Sequence, residues 1–301
     1  MPFITLFSAP KPFADPHIAL IQRNAVRSWR RLPDVEVLLI GDEPGLEAAA
    51  GELGARHLAQ VQRNPNGTPL LSSMFELARS NSESPLLAIV NTDIILLDDF
   101  FEAARTMLRL EPRFVLLSRR WDVQITASLD VRNGWQGRLR DIARSAGQLH
   151  RPAGSDYFVF PRACFPEVPA FAIGRAGWDN WMIYEARRSK WPVVDATPSV
   201  TVLHQSHDYS HLPNGKAHYT LPETDENIRL AGGQAAVRFT LLDATHQLVS
   251  GRLTKPRLDR GRLTRQVELL LRALFGFLPE RQLENIVRPK RWLKRLRRLL
   301  K

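Results

Sequence analysis

The segment LLAIVNTDIILLDDF, residues 86–100, places Asn-Thr-Asp between two strongly apolar runs. The first run has the length and composition of a strand that is buried on both faces of a sheet. A turn after such a strand requires only polar residues, whereas a cation site requires a carboxylate. The segment therefore predicts a buried parallel strand, and it leaves Asp93 with two interpretations, turn residue or metal ligand.

Strand-like and helix-like segments alternate over the first 118 residues. Four short apolar runs predict strands, at residues 3–7, 35–40, 85–90 and 114–118. Apolar residues at helical spacing lie between them, and the first helix opens with Asp15 as a cap and Pro16 at its first position. This order predicts an α/β fold in which a mostly parallel, Rossmann-type sheet is flanked by helices on both faces.

Polar residues follow three of these strands at the point where each strand ends. They lie at residues 8–11, 41–43 and 91–93, and they include Ser8, Pro10, Lys11 and Asp42. In open parallel sheets, ligands bind beyond the carboxyl ends of the strands. The three clusters are therefore expected to meet at one edge of the sheet, and Asp93 becomes a candidate member of a binding site there.

Charge is distributed unevenly along the chain. The 301 residues carry a net charge of +11. From residue 252 to the end there are 16 Lys and Arg against four Asp and Glu, a net charge of +12, which leaves −1 for the preceding residues. The asymmetry predicts a domain of residues 1–250 followed by a basic tail of residues 251–301. It does not favour a nucleic-acid-binding enzyme, whose basic residues would surround the working cleft.

The tail ends in a strongly basic segment, RPKRWLKRLRRLLK, with eight Lys and Arg and no acid. Its large apolar side chains share one helical face: Trp292, Leu296, Leu299 and Leu300. The segment predicts a basic amphipathic helix on an anionic membrane surface, with RNA binding or packing against the rest of the protein as alternatives. A single cysteine and the lack of a signal-like N-terminus favour a cytoplasmic protein at the inner face of the cell membrane.

A second candidate metal-binding segment is VTVLHQSHDYSH, residues 200–211. In one interpretation His204 completes a site for Mn²⁺ or Mg²⁺ with Asp93. In another, His204, His207 and His211 form a local zinc site, although this spacing is not typical of zinc and no cysteines accompany it. His207 and His211 are also interpretable as loop residues with structural hydrogen bonds. Asp93 and His204 are therefore the predicted metal ligands.

GWDNW, residues 177–181, puts Asp179 between two tryptophans at the start of a predicted helix. A carboxylate flanked by indoles is partly desolvated, which raises its pKa toward the range of a general base. Trp178 and Trp181 offer flat apolar faces for a sugar, and Asp156 is a candidate for binding a substrate hydroxyl. The alternatives are a helix cap with two core tryptophans, and a turn residue at Asp156.

With these motifs in place, residues 2–235 resemble the GT-A-type nucleotide-sugar glycosyltransferases, close to the broad family 2 group and a bacterial subgroup of it. The resemblance is carried, in order, by FITLFSAP, LLIGDEPG, GTPLLSSMFELARS, LLAIVNTD, GWDNW and HQSHDYSH. It implies metal binding by Asp93 and His204. It also implies that Asp42 holds the nucleotide base, that Asp179 is the catalytic base, and that Asn91 replaces the first aspartate of the family motif. Further implied donor contacts are Ser8, Pro10, Lys11 and Thr92.

The resemblance implies transfer of a sugar from a nucleotide-sugar donor to a hydroxyl of a glycan or lipid-linked acceptor, in cell-surface glycan or glycolipid synthesis. Mn²⁺ or Mg²⁺ would neutralise the leaving diphosphate while Asp179 deprotonates the acceptor. A nucleotidyltransferase is disfavoured because SAPKPFAD, after the first strand, is not a Gly-rich loop. The remaining alternative is a noncatalytic adaptor with a degenerate sugar-binding domain. This alternative stays open because Asn91 replaces the first aspartate of the family motif.

Overall fold

The computed structural model describes residues 1–207, 221–278 and 280–287 of the chain. The chain divides into two compact units, residues 1–256 and residues 257–301. The boundary was predicted after residue 250, and it lies later because Arg252–Thr254 forms the last strand of the main sheet.

The strands of the first unit are short. They are β1 (Ile4–Ser8), β2 (Val35–Ile40), β3 (Arg56–Leu58), β4 (Leu86–Val90), β5 (Ile94–Leu96), β6 (Val115–Leu117), β7 (Trp121–Val123), β8 (Gln148–Leu149), β9 (Tyr157–Pro161), β10 (Val193–Asp195), β11 (Val202–Gln205), β12 (His246–Val249) and β13 (Arg252–Thr254). The α-helices of this unit are α1 (Pro16–Trp29), α2 (Leu46–Leu53), α3 (Leu71–Ser80), α4 (Asp98–Leu110), α5 (Trp135–Ala146), α6 (Trp178–Arg188) and α7 (Pro222–Leu230).

The main sheet has the strand order β13-β12-β10-β6-β9-β4-β1-β2-β3. Strand β1 pairs in parallel with β2 on one side and with β4 on the other. Strand β9 runs antiparallel to both of its neighbours, β4 and β6, and β13 runs antiparallel to β12. The prediction of a mostly parallel sheet is confirmed, and all four predicted strands lie in it.

Apolar side chains cover both faces of the main sheet. One cluster packs Trp29 and Phe100 against the sheet, and a second packs Phe75 and Trp181 against the opposite face. Burial on both faces is the reason that these strands are near-continuous apolar runs. Helix α1 begins as predicted, with Pro16 in its first turn and Oδ1 of Asp15 accepting a hydrogen bond from the helix.

A smaller sheet of order β5-β11-β7-β8 was not predicted from the sequence. Strand β5 begins directly after Asp93 and pairs with β11, so that Ile94 lies opposite His204. Strand β7 pairs with the other edge of β11 and places Asp122 beside His204. The small sheet therefore brings two separate parts of the chain to the position of Asp93.

The second unit contains the helices α8 (Arg260–Phe275) and α9 (Glu280–Val287). Asp259 caps α8, because its Oδ1 accepts a hydrogen bond from the backbone N–H of Arg262 at 2.8 Å. The predicted amphipathic helix at residues 288–301 lies outside the described residues. Within the part of the chain that the structure describes, no helix combines the length and apolar character needed to cross a membrane.

Candidate active site

A cleft of about 450 Å³ opens at the carboxyl edge of the main sheet, beside β1 and β4. The chain passes from β1 to β2 on one side and returns to β4 on the other, and open α/β sheets bind ligands at such a switch point. The lining includes residues 8–12, 89–93 and 173–175 together with Glu43, Arg63, Arg120, Asp156, His204 and His207. The volume is in the range of small-molecule sites, and all three predicted polar clusters contribute to the lining, the second of them through Glu43.

Three side chains in the cleft form a cluster of potential metal ligands. Nε2 of His207 lies 3.1 Å from Oδ2 of Asp93, and Nε2 of His204 lies 3.6 Å from the same oxygen. One ligand atom from each of the three residues lies within 4.8 Å of the other two. The predicted pair of Asp93 and His204 is thus brought together, and His207 joins it.

Backbone pairing fixes the position of Asp93 relative to β11. The backbone N–H of Gln205 donates to the carbonyl oxygen of Asp93 at 3.1 Å, and its Nε2 donates to the same oxygen at 3.2 Å. Nε2 of Gln205 also donates to the carbonyl of Ile21, and Nδ2 of Asn24 donates to Oε1 of Gln205. The buried Gln205 amide therefore ties the loop that carries Asp93 to α1 and to the strand that carries His204.

The imidazoles and Asp93 shift one another's protonation. Burial alone would raise the pKa of Asp93, but hydrogen bonds and charge from His204 and His207 hold that pKa well below its usual value. Burial alone would lower the pKa of His204, but its contacts with Asp122 and Asp93 outweigh burial and raise the pKa to about 9. The cluster is therefore a place where an ionised carboxylate faces positive charge.

The second carboxylate oxygen of Asp93, Oδ1, is buried and has no hydrogen-bond partner among the described residues. Leaving a buried carboxylate oxygen unpartnered is costly unless something else binds it. An unpartnered oxygen beside two imidazole nitrogens fits a divalent cation. One carboxylate and two imidazoles suit Mn²⁺ better than Mg²⁺, which prefers oxygen ligands, and they also suit Zn²⁺.

Asp122 lies behind His204. Its Oδ1 is 3.0 Å from Nδ1 of His204, and its Oδ2 is 2.7 Å from Nδ1 of His150. Arg120 donates from Nε to Oδ1 of Asp122 at 2.9 Å. Burial opposes ionisation, but these contacts hold the pKa of Asp122 below its usual value. Nδ1 of His204 forms no hydrogen bond of normal geometry with the described residues, so its contact with Asp122 is that of an ion pair. A carboxylate behind a metal-binding histidine orients its ring, and we expect Asp122 to act on His204 in this way.

Asn91 and Asp156 face each other across β4 and β9. The backbone N–H of Asn91 donates to the carbonyl oxygen of Asp156 at 2.8 Å, and Nδ2 donates to Oδ1 of Asp156 at 3.2 Å. Arg120 donates to the same carboxylate oxygen. An amide suits position 91 because it can donate to Asp156, whereas an aspartate there would place two negative charges side by side.

The loop after β1 is held against α1. The buried Oε1 of Gln22 accepts a hydrogen bond from the backbone N–H of Lys11 at 2.6 Å, and Nε2 donates to the carbonyl of Lys11 at 2.9 Å. The hydroxyl of Thr92 donates to Oε1 of Gln22 at 3.1 Å, and the hydroxyl of Ser8 donates to a carbonyl of β4. Ser8, Pro10, Lys11, Asn91 and Thr92 all line the cleft, where they were predicted to lie.

Asp42 does not line the cleft, contrary to the prediction. Its side chain is 68% exposed and pairs with Arg63. Glu43 lines the cleft instead, with Oε1 at 2.9 Å from Arg63 and Oε2 buried without a hydrogen-bond partner among the described residues. Gly41 makes room for this carboxylate, since its φ is +128° and a Cβ atom there would lie 2.1 Å from Oε2. Of the two acids that follow β2, Glu43 is therefore the one that lines the cleft.

Asp179 lies in the first turn of α6 and is close enough to Asp156 for their charges to repel. Burial raises the pKa of Asp179 to about 6, with a contribution from the charge of Asp156, although backbone N–H groups at the helix start act in the opposite direction. Asp179 is not part of the lining itself and adjoins the cleft through Asp156. Its pKa is in the range that a general base requires.

Trp178 and Trp181 belong to the apolar core, and their predicted role as sugar platforms is wrong. Their side chains are 5% and 6% exposed, respectively. Trp178 packs edge-on against Phe158 with ring centroids 5.9 Å apart, and Trp181 packs against Phe171 at 5.2 Å. Side chains that are almost fully buried cannot stack on a sugar, so the alternative of two core tryptophans holds.

The sequence left His207 with two interpretations, a structural loop residue or a ligand of a local zinc site, and Arg120 and Asp122 were not predicted as site residues. The latter two follow β6, so the rule applied to the ends of β1, β2 and β4 would also have indicated them. The position of His207 depends on a loop after β11 and has no periodic signal. His211, the third histidine of the segment, lies outside the described residues.

No protein-family model matches the chain, and no curated protein matches it. Among solved structures, glucosyl-3-phosphoglycerate synthase from Mycobacterium tuberculosis, with Mn²⁺, uridine diphosphate and phosphoglyceric acid, is 14% identical; the alignment covers 77% of this chain and 79% of that one, with a TM-score of 0.46. A mannosyltransferase from Pyrobaculum calidifontis, with GDP-Man and Mn²⁺, is 12% identical over 69% of this chain and 58% of that one, with a TM-score of 0.44. Both are glycosyltransferases. At this level of similarity, the function rests on the geometry of the cleft.

Proposed function

We propose that the protein is a metal-dependent glycosyltransferase that moves a sugar from a nucleoside diphosphate sugar to an acceptor hydroxyl. The observation that carries the proposal is the cluster of Asp93, His204 and His207 in a cleft at the β1/β4 switch point. A switch-point cleft suits a nucleotide, and a carboxylate-imidazole cluster beside it suits the cation that accompanies a diphosphate.

Asp93, His204 and His207 would hold the cation, with Mn²⁺ favoured over Mg²⁺ by the two imidazoles. When bound, such a cation supplies Lewis-acid neutralisation of the charge that develops on the leaving diphosphate. Asp122 keeps His204 oriented for this role, and the unpartnered Oδ1 of Asp93 is the oxygen that would gain a partner.

The remaining groups of the cleft would bind and orient the donor. Glu43 presents a buried carboxylate oxygen that can accept from an N–H of a nucleobase or a hydroxyl of a ribose. Lys11 follows β1 at the edge of the cleft and provides positive charge near the diphosphate. Arg63 holds Glu43 in place through its guanidinium at 2.9 Å.

Asp179 would act as the general base. It would take the proton of the acceptor hydroxyl while the acceptor oxygen bonds to the anomeric carbon and the bond from that carbon to the diphosphate oxygen breaks, its electron pair leaving with the diphosphate. The pKa of about 6 supports this role, because the carboxylate is then mostly ionised at neutral pH yet still basic enough to accept a proton. Asp156, which lines the cleft next to Asp179, would orient the sugar or the acceptor.

We further propose that the acceptor is a glycan or lipid-linked carrier at the inner face of the cell membrane, where cell-surface glycans or glycolipids are assembled. What supports this is the charge of the second unit, which has 14 Lys and Arg against four Asp and Glu in residues 257–301. A strongly basic segment is attracted to a surface of anionic lipids.

The test is thermal unfolding of the full chain with uridine, guanosine, cytidine, adenosine and thymidine diphosphate sugars, each with and without Mn²⁺, Mg²⁺ or Zn²⁺. One donor class is expected to raise the melting temperature by several degrees only in the presence of cation, because a ligand at about a hundred times its Kd stabilises the native state by about 2.7 kcal/mol. Asp93→Ala should abolish this cation dependence.

Asp130→Ala is the matched control, because Asp130 is an exposed aspartate outside the cleft. Its shift should equal that of the wild type. A cation-dependent shift that survives in Asp93→Ala would remove Asp93 from the metal site. Cation-dependent donor binding without release of nucleoside diphosphate, for any glycan or lipid-linked acceptor supplied, would leave a noncatalytic binding protein instead.

A further inference from the structure

Helix α8 carries a stripe of large aliphatic side chains, formed by Leu263, Val267, Leu270 and Leu274. Their spacing of four, three and four residues places them on one face of the helix. Each is about half exposed, between 48% and 59%, and Phe277, just beyond the helix, is 80% exposed. We call these four residues the apolar stripe of α8.

Charged side chains of the same helix are paired with one another away from this stripe. Glu268 lies between Arg265, at 3.2 Å, and Arg272, at 3.1 Å. Of the eleven large apolar side chains that are exposed in the described residues, seven lie between Leu258 and Ile286. A soluble protein rarely concentrates exposed apolar surface in this way unless the surface meets a partner.

The partner must also complement strong positive charge. Residues 257–301 carry a net charge of +10, nearly all of the +11 of the whole chain. An anionic lipid surface offers both features, negative headgroups that attract Lys and Arg and an acyl layer that accepts aliphatic side chains. We propose that the apolar stripe of α8 docks on a bilayer containing anionic lipids, with its aliphatic side chains inserted among the headgroups.

Two other occupants fit these observations less well. Two copies of this chain would bring two units of net charge +10 together, and like charges at that density repel. Nucleic acid would satisfy the charge, but single strands are bound by stacking on aromatic rings, and the stripe has only Leu and Val. A helix that presents aliphatic side chains within a basic segment matches a bilayer surface.

The proposal goes beyond glycosyl transfer and does not depend on it, because α8 contains none of the residues assigned to the cleft. It narrows the prediction of membrane contact by the tail of residues 251–301 to one helix that the structure describes, and it shares with the proposed membrane location the basic charge of residues 257–301. Docking and catalysis can therefore be tested separately.

The experiment is co-sedimentation of the full chain with vesicles of phosphatidylcholine alone or of phosphatidylcholine mixed with phosphatidylglycerol. The test variant is Leu270→Gln with Leu274→Gln, which removes apolar surface while keeping the helix propensity and charge nearly unchanged. The matched control is Leu110→Gln with Ile142→Gln, which changes two exposed apolar residues of the first unit.

The wild type and the control pair should sediment with the anionic vesicles, less so at high salt, and should remain in solution with phosphatidylcholine alone. The variant with Leu270→Gln and Leu274→Gln should have a partition coefficient into anionic vesicles at least about tenfold lower than that of the wild type, because each leucine contributes to the free energy of insertion. Circular dichroism and nucleotide-induced stabilisation should be equal in all three proteins.

Equal sedimentation of the stripe variant and the wild type would overturn the proposal, as would a wild type that fails to bind anionic vesicles. Light scattering, which measures the oligomeric state, provides a further test. If the wild type is a dimer and the stripe variant is a monomer, the apolar stripe of α8 is an interface between copies of the chain, and the lipid assignment is wrong. Salt-sensitive binding of RNA that is lost in the stripe variant would also overturn it.

Discussion

Asp179 titrates within the range of pH over which enzymes are assayed. Burial raises its pKa to about 6, and a general base acts only in its unprotonated form. The rate with donor in excess is therefore expected to fall about tenfold per pH unit below pH 6 and to level off above it. Asp179→Asn should lower the rate by about a hundredfold or more and should abolish this fall in rate below pH 6, which we call the acid limb. The measurement is the rate of sugar transfer as a function of pH.

The control for Asp179→Asn is donor binding, followed by thermal unfolding with cation and nucleotide. Binding should be unchanged, since the side chain does not line the cleft. A variant that transfers sugar at the full rate, or one that keeps the same acid limb, would show that another group takes the proton.

Asp122 is expected to act through His204 rather than on the substrate. Asp122→Asn should keep the size of the side chain but weaken the alignment of the His204 ring, and removal of such a partner weakens metal binding by about tenfold to a hundredfold. The measurement is a Mn²⁺ titration of the nucleotide-dependent rise in melting temperature. Asp98→Asn, which changes an exposed aspartate paired with Arg140, should have no effect on it. An unchanged Mn²⁺ midpoint in Asp122→Asn would contradict the positioning role.

At the scale of the elements, the large parallel sheet could be predicted and the small sheet could not. Strand β4 has five apolar residues that are all buried, and β2 has six residues of which the last four, residues 37–40, are apolar and buried, so the pattern of both strands is local. Strands β5, β7 and β11 have three or four residues each and pair with distant partners. Local periodicity carries little information about such pairings. The carboxylate of Asp93 was therefore predictable, whereas its contact with His207 depended on tertiary structure.

The same limit explains the two wrong site assignments. Asp42 and Glu43 are adjacent acids after β2, and the space that Gly41 leaves beside the Glu43 carboxylate is not apparent from the sequence. Trp178 and Trp181 flank a carboxylate in sequence, but their surroundings are phenylalanines from other elements. Sequence indicates that such residues are present, and packing determines which way they face.

The position of the metal cluster depends on the hydrogen bonds of Gln205, which connect three elements of the fold. Its amide is fully buried and bridges β11, the loop of Asp93 and α1. Gln205→Leu would leave the carbonyl of Ile21 and the amide of Asn24 without this partner, which should lower the free energy of unfolding by about 2–4 kcal/mol. Because the loop of Asp93 loses a tie to β11, Mn²⁺-dependent nucleotide binding should weaken as well.

Chemical denaturation and the Mn²⁺ titration measure these two effects of Gln205→Leu. Gln60→Leu is the matched control, since Gln60 is exposed and should change the unfolding free energy by less than about 0.5 kcal/mol. If Gln205→Leu were as stable as the wild type, or bound Mn²⁺ with the same midpoint, the bridging amide would not be what holds the cluster together.

At the scale of the whole molecule, the two compact units of the chain also differ in net charge. Residues 1–256 carry a net charge of +1, whereas residues 257–301 carry +10. A protein that ends after Pro256 keeps every strand of both sheets and every residue of the cleft. It is expected to unfold cooperatively and to bind nucleotide with cation as the full chain does, while losing the binding to anionic vesicles.

Thermal unfolding and vesicle co-sedimentation of this shortened protein, beside the full chain, measure both outcomes. Retained vesicle binding would place the membrane contact in the first unit. Loss of nucleotide binding with an intact unfolding transition would mean that residues beyond Pro256 contribute to the donor site. The asymmetry of charge could be predicted from the sequence, because the net charge of a segment follows from its residues alone and does not depend on how they pack.

The antiparallel strand β9 also determines when the protein can fold during synthesis. It lies between β4 and β6, although Tyr157–Pro161 follows both of them in the chain. Until that segment leaves the ribosome, β4 has an unpaired, fully apolar edge, and such edges associate with other chains. The nascent protein is therefore expected to pass through a stage in which β4 is prone to aggregate, until β9 pairs with it. Slower translation between β6 and β9 would prolong that stage, so the yield of soluble protein should depend on the codons used for that stretch.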